Sequence, residues 1–160
     1  MTLSRPPTPL TDLDPGGVPS AGGPCGFTSR VLYVEDDAVN AMLMQGILEL
    51  RSGSQLLVAR TGAEALRLAA AGGIDLVLCD LRLPDISGEA LLPALRAAGL
   101  PKAVPAVLVT AESEFVASQL ARRYGYDGHW TKPLDVAATL RSLEVWLAPV
   151  QSCRAEPGPA

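Results

Sequence analysis

Five short apolar runs, each followed by a stretch with helical spacing, restrict the fold of this chain more than any other feature. The runs are RVLYV (30–34), QLLVA (55–59), IDLVLC (74–79), AVLVT (106–110) and GHWT (128–131). They have the length and residue types of strands. After the first run, Val39, Met42, Leu43, Gly46, Ile47 and Leu50 fall at successive helical spacings and mark the apolar stripe of a first helix. Thr61 with Glu64 is a capping-box signature for a second helix, which Gly72-Gly73 ends. A third is expected from about Gly88 to Ala98 with Leu91, Leu92 and Leu95 inward, and Pro93 is expected to kink it or delay its start. Val116, Leu120 and Tyr124 mark a fourth helix closed by Gly125, and Val136, Leu140, Leu143 and Leu147 a fifth that Pro149 should stop. Such βα repeats imply an α/β fold, a doubly wound five-stranded parallel sheet covered on both faces.

A chain of 160 residues, 48% hydrophobic, has room for one sizeable core. Residues 1–28 hold six prolines and five glycines with scarcely any aliphatic pattern, so they are expected to be a flexible tail. The same holds for 149–160, which leaves one domain over 29–148. The formal charge of -4 argues against a sequence-independent nucleic-acid binder or an anionic-membrane binder. Cys25, Cys79 and Cys153 are far apart and lack metal-ligand spacing, so neither a disulfide framework nor a zinc site is suggested, and a reducing cytoplasm fits. No secretory h-region or run of membrane-spanning length is present, so membrane insertion is not expected.

In an open parallel sheet, ligands bind outside the carboxyl ends of the strands. Glu35, Asp36 and Asp37 follow the first strand, Asp80 the third, Thr110 ends the fourth and Lys132 follows the fifth. Acids from two neighbouring strand ends can converge on a hard divalent cation such as Mg²⁺, which takes oxygen ligands. Each member has a plainer reading. The acids of EDD can cap a helix, as Asp37 is placed to do, Lys132 can be a surface cation, and Asp80 or Thr110 can serve a turn. Cys79 alternates to a core-facing position and is most simply a small buried hydrophobe.

Taken together, VEDD, CDLRLPDISG, VTAE and TKP, in that order, closely resemble the receiver domain of bacterial two-component response regulators over about residues 30–147. The resemblance implies the flavodoxin-like (βα)5 strand order 2-1-3-4-5, which periodicity alone does not give. It implies that Asp80 accepts a phosphoryl group from a sensor or hybrid histidine kinase, or from a phosphotransfer protein. Glu35, Asp36, Asp80 and the backbone carbonyl of Arg82 would organise Mg²⁺, while Thr110 and Lys132 would neutralise phosphoryl oxygens. Thr110 and His129 would form the switch, with His129 standing where the family more often has Tyr or Phe. Gln119, Arg122, Arg123, His129 and Trp130 would lie on or near an output face for an unidentified protein, made by the fourth helix, fifth strand and fifth helix. Arg82 and Glu112 occupy places that influence phosphate lifetime in the family; each two residues past its strand end, they could pair across the mouth or stand as two solvated side chains that ignore each other. The segment VEDDAVNAMLMQGILE also resembles receivers attached to hybrid kinases.

The leading expectation is therefore a phosphoacceptor signalling module in a phosphorelay, not an enzyme beyond its own phosphorylation and dephosphorylation. Two alternatives stand beside it. One is a receiver-like binding module that works without phosphorylation. The other is a phosphotransferase or phosphatase with an aspartyl-phosphate intermediate, although Arg82 occupies the second acidic position such enzymes generally carry.

Overall fold

The computed structural model describes residues 29–154, with side chains described from 29 to 148; the expected tail 1–28 and residues 155–160 lie outside it. In chain order the elements are β1 (Ser29–Val34), α1 (Ala38–Glu49), β2 (Ser54–Ala59), α2 (Gly62–Ala70), β3 (Leu76–Asp80), α3 (Gly88–Ala97), β4 (Ala106–Thr110), α4 (Glu114–Tyr124), β5 (Gly128–Thr131) and α5 (Val136–Arg154). The strands form one parallel sheet in the order β2-β1-β3-β4-β5. Val34 pairs with Cys79, Asp80 with Val109 and Thr110 with Thr131, so four strands end along one edge.

The period-2 alternation of the strands divides the core in two. Leu32, Val34, Val77, Cys79 and Leu108 face α2, α3 and α4, whereas Val31, Tyr33, Leu78, Val107 and Val109 face α1 and α5. The central strands β3 and β4 are buried at every residue, as a sheet covered on both faces requires. Leu91, Leu92 and Leu95 turn inward as their spacing predicts.

Helix α1 corrects one expectation. Its inward residues are Ala41, Met44, Ile47 and Leu48, whereas Val39, Met42, Leu43 and Leu50 are exposed. The segment AVNAMLMQGILE is apolar on nearly every side, so spacing establishes a helix without choosing which stripe meets the sheet. An apolar face thus remains on the surface.

Pro149 corrects a second. Pro93 lies inside α3, which begins at Gly88 as expected and is not delayed, whereas α5 runs through Pro149 to Arg154. In each case the carbonyl that loses its helical partner, four residues back, belongs to an exposed residue, Glu89 or Val145, where water can replace the bond. An interior proline costs about 3 kcal/mol. Leu143 and Leu147, both fully buried, hold α5 to the sheet and offset that cost at about 2 kcal/mol each.

Candidate functional site

Period 2 places Tyr33 and Glu35 on the same side of the chain leaving β1, and there the Tyr33 hydroxyl donates to Glu35 Oε2 at 2.8 Å. The Asp37 N–H donates to Glu35 Oε1 at 3.1 Å, and Glu35 itself is buried. Asp37 performs the plainer role set out for it, capping α1 by accepting from the Asn40 N–H at 2.9 Å. Asp36, between them, is exposed.

Asp80 is the last residue of β3, and the Arg82 N–H donates to its Oδ1 at 3.0 Å. Its Oδ2 accepts from Lys132 Nζ at 2.7 Å, and the same ammonium donates to Glu35 Oε2 at 2.6 Å. Lys132 is set by its own N–H, which donates to the Thr110 carbonyl at 2.7 Å just past the end of β5, and its bond to Pro133 is cis. The lone lysine of TKP is therefore neither a free surface cation nor a distant one. Its side chain is 17% exposed and balances two carboxylates that are more buried still.

The oxygens of Glu35, Asp36 and Asp80 lie within 4.8 Å of one another. Three hard oxygen donors at that spacing, one of them on the exposed Asp36, fit the needs of Mg²⁺, which retains several waters. Burial, opposed by the Arg82 N–H and Lys132 but reinforced by Glu35, pushes the Asp80 carboxyl above its usual range. Burial would raise Glu35 too, but Lys132, the Tyr33 hydroxyl and the Asp37 N–H outweigh it and hold Glu35 below the usual range. Burial would lower Lys132, yet its bonds to Asp80 and Glu35 carry it above its ordinary value. Two carboxylates thus share one ammonium's compensation at the mouth of the sheet.

Thr110 is buried at the end of β4, and its Oγ1 accepts from the Glu112 N–H at 3.2 Å. Arg82 and Glu112 form the ion pair their spacing suggests, at 2.9 Å, with side chains 83% and 34% exposed. His129 stands apart from the acids: its Nε2 meets Glu114 Oε1 at 2.6 Å, tying β5 to the first turn of α4. Beside it a cleft of about 350 Å³ is lined by Arg122, Tyr126, Gly128, His129, Trp130 and Trp146 among others. Cys79 is fully buried and its thiol is pushed up to about 12 by burial, so it is an unreactive core residue at neutral pH.

Two contributors escape a reading of the sequence alone. Tyr33 was legible in principle, because a tyrosine two residues before a glutamate in a chain still extended as it leaves a strand lies on the same side. Asp85 was not. Its carboxylate accepts from the Gly62 and Ala63 N–H groups at 2.8 and 3.1 Å, across a separation that no local pattern signals.

The response regulator receiver domain model matches residues 31–144. The polar-differentiation response regulator DivK of Brucella ovis is 30% identical over 121 residues, covering 76% of this chain and 98% of DivK. The transcriptional regulatory protein ZraR of Escherichia coli is 32% identical over 79% of this chain but only 28% of its own. The receiver domain of a Pseudomonas aeruginosa sensor histidine kinase, solved with a magnesium ion coordinated in its active site cleft, is similar with a TM-score of 0.67 and 27% identity. That match covers 75% of this chain and 98% of the other. A receiver domain from Methylobacillus flagellatus matches with a TM-score of 0.61 and 31% identity over 74% of this chain and 98% of its own. No helix among the described residues is long and apolar enough to cross a membrane.

Proposed function

The chain belongs to the response regulator receiver domain family, and on that premise we propose that it takes a phosphoryl group onto Asp80 from a phosphohistidine donor and reports it through protein contact. The observation that carries this reading is the Lys132 ammonium bonded to both Asp80 and Glu35 at the carboxyl edge of the sheet. Glu35, Asp36, Asp80 and the Arg82 carbonyl would hold Mg²⁺, which when bound offsets negative charge on the phosphoryl oxygens.

An Asp80 oxygen attacks phosphorus in line with the leaving imidazole nitrogen; the O–P bond forms as the P–N bond breaks. Lys132, already at Asp80, is placed to follow the charge onto a phosphoryl oxygen, and the Thr110 hydroxyl is free to donate once one is present. The reading makes the chain no enzyme beyond its own phosphorylation and dephosphorylation, and carries a cytoplasmic location with it. Its output would be the face that includes His129, Trp130 and Arg122. Incubation with Mg²⁺ and a small-molecule phosphodonor, followed by intact mass, tests it. An acid-stable, base-labile adduct on Asp80 supports the reading; no adduct leaves the phosphorylation-independent binding module, and turnover of an added phosphoester favours the phosphatase.

The exposed stripe Val39, Met42, Leu43 begins two residues past the Asp37 cap, beside the acids, and suits an apolar helical surface on the donor protein. Met42→Asp and Leu43→Asp are expected to slow transfer from a phosphorylated donor protein by about 10-fold or more, the loss of a well-packed interface anchor. Labelling by a small phosphodonor should stay at the wild-type rate. Equal slowing with both donors would place the defect in the site and not in docking.

The Arg82–Glu112 pair would stand beside the path of hydrolytic water to a phosphoryl group on Asp80. An exposed pair stabilises the fold by only about 0 to 1 kcal/mol, so its effect on phosphate lifetime is positional. Arg82→Ala and Glu112→Ala should each speed phosphate loss, and the double variant should gain less than the product of the two. Multiplicative effects in the decay of phosphorylated protein would mean the two side chains act separately.

A further inference from the structure

Helix α2 opens with three backbone N–H groups that lack helical partners. Thr61 takes the Glu64 N–H at 3.2 Å, and the other two, on Gly62 and Ala63, go to the two oxygens of Asp85. Asp85 belongs to the loop between β3 and α3. These two donors hold its carboxyl below the usual carboxylate range, as an anion at a helix N-terminus requires.

The loop is fixed at its base as well. Arg82 bridges to Ser87, the Gly88 N–H donates to the Leu81 carbonyl at 2.8 Å, and the Tyr126 hydroxyl donates to the Gly88 carbonyl at 2.5 Å. Both ends of the tether demand glycine. A Cβ on Gly62 would collide with Ile86 Cγ2, and one on Gly88 would stand 2.9 Å from the Asp80 carbonyl oxygen. The close approach of loop to helix is therefore built into two residues lacking side chains. What the loop carries in its first turn is the Arg82 N–H that holds Asp80 Oδ1 at 3.0 Å.

We propose that Asp85 is a positioning residue for the phosphoacceptor: by clamping the β3–α3 loop to the N-terminus of α2, it fixes the Arg82 backbone that orients Asp80 and completes the cation site. The inference rests on the phosphoacceptor reading for its consequence, and on the hydrogen bonds above for its geometry. Thr61 supplies the control, because its hydroxyl caps the same helix turn by accepting from the Glu64 N–H, within α2, and not from the loop.

In the full chain, Asp85→Ala should weaken Mg²⁺ binding, followed by isothermal titration, by about 10-fold, as loss of groups that orient metal ligands does. In metal-free protein the Arg82 amide should exchange with solvent faster by on the order of 10-fold, a local opening with no global loss of protection. Asp85→Asn, which keeps one acceptor oxygen, should fall between the wild type and Asp85→Ala in both measurements, and it serves if Asp85→Ala folds poorly. Thr61→Ala should lower Tm while leaving Mg²⁺ affinity and Arg82 exchange at wild-type values. Unchanged Arg82 exchange in Asp85→Ala, or a loss of affinity reproduced by Thr61→Ala, overturns the proposal. If the wild type binds no Mg²⁺, the metal reading falls, and the exchange of the Arg82 amide still decides the clamp.

Discussion

Replacing Lys132 with methionine should destabilise the protein by about 3 kcal/mol at neutral pH, the low end of the cost of removing one partner from a buried ion pair. The low end is appropriate because the lysine is 17% exposed and the cluster includes the exposed Asp36. Methionine keeps most of the length of the stem, so the loss is electrostatic and not a cavity. Without the ammonium, Glu35 and Asp80 face each other with only the Tyr33 hydroxyl and the Asp37 and Arg82 N–H groups to compensate them.

The pH dependence gives this prediction its signature. In the wild type, Glu35 sits below its unfolded value, so it contributes stability above that value and loses it as pH falls through the folded pKa. Lys132 sits above its unfolded value, so its contribution is fully present at neutral pH and fades only as pH rises through its folded pKa. In Lys132→Met the lysine contribution is gone, and burial with mutual repulsion raises both carboxyls above their unfolded values. Folded-state protonation then stabilises the variant as pH falls from about 7 toward 5. Urea midpoints at the two pH values should show the gap to wild type narrowing. A gap that stays constant across that range would mean the lysine acts by packing alone.

Much of this site was legible because its members lie where the sheet ends, and strand ends are set by a pattern read over a handful of residues. Asp80, Thr110 and Lys132 fall into place once β3, β4 and β5 are located, and Arg82 and Glu112 pair as their equal offsets from Asp80 and Thr110 suggest. What failed to show is long-range or two-sided. The inward stripe of α1 could not be chosen from a segment apolar all round, and it is the sheet, through Met44, Ile47 and Leu48, that chooses. Pro149 failed as a stop signal because propensity yields to the burial of Leu143 and Leu147 just before it. The His129–Glu114 contact and the Asp85 clamp join residues from separate elements, and their partners are fixed by loop paths that local spacing does not encode.

The largest functional loss is expected at Asp80 itself, where asparagine should abolish the adduct formed with Mg²⁺ and a small phosphodonor, at least about a 100-fold drop, since a neutral amide is no nucleophile toward phosphorus. The same substitution should make the fold more stable. The Asp80 carboxyl is pushed above its unfolded value by burial and by Glu35, so the ionised form carries a cost at neutral pH that is absent at pH values below the unfolded pKa. Asparagine resembles the protonated acid. Its one carbonyl oxygen cannot accept from both the Arg82 N–H and Lys132 Nζ in the present geometry, so one of those bonds is lost, but Lys132 keeps Glu35. Asp80→Asn is therefore expected to be more stable than wild type by about 1 kcal/mol at neutral pH, with the advantage shrinking toward acid pH as the wild-type carboxyl takes its proton. Denaturation at about pH 7 and pH 4, set beside intact mass after phosphodonor treatment, reads both effects in one variant. Labelling of Asp80→Asn at the wild-type rate would remove Asp80 as the nucleophile. A variant less stable than wild type at neutral pH would mean that the ammonium more than offsets the burial of this carboxylate, and that the fold is not strained to keep it ionised.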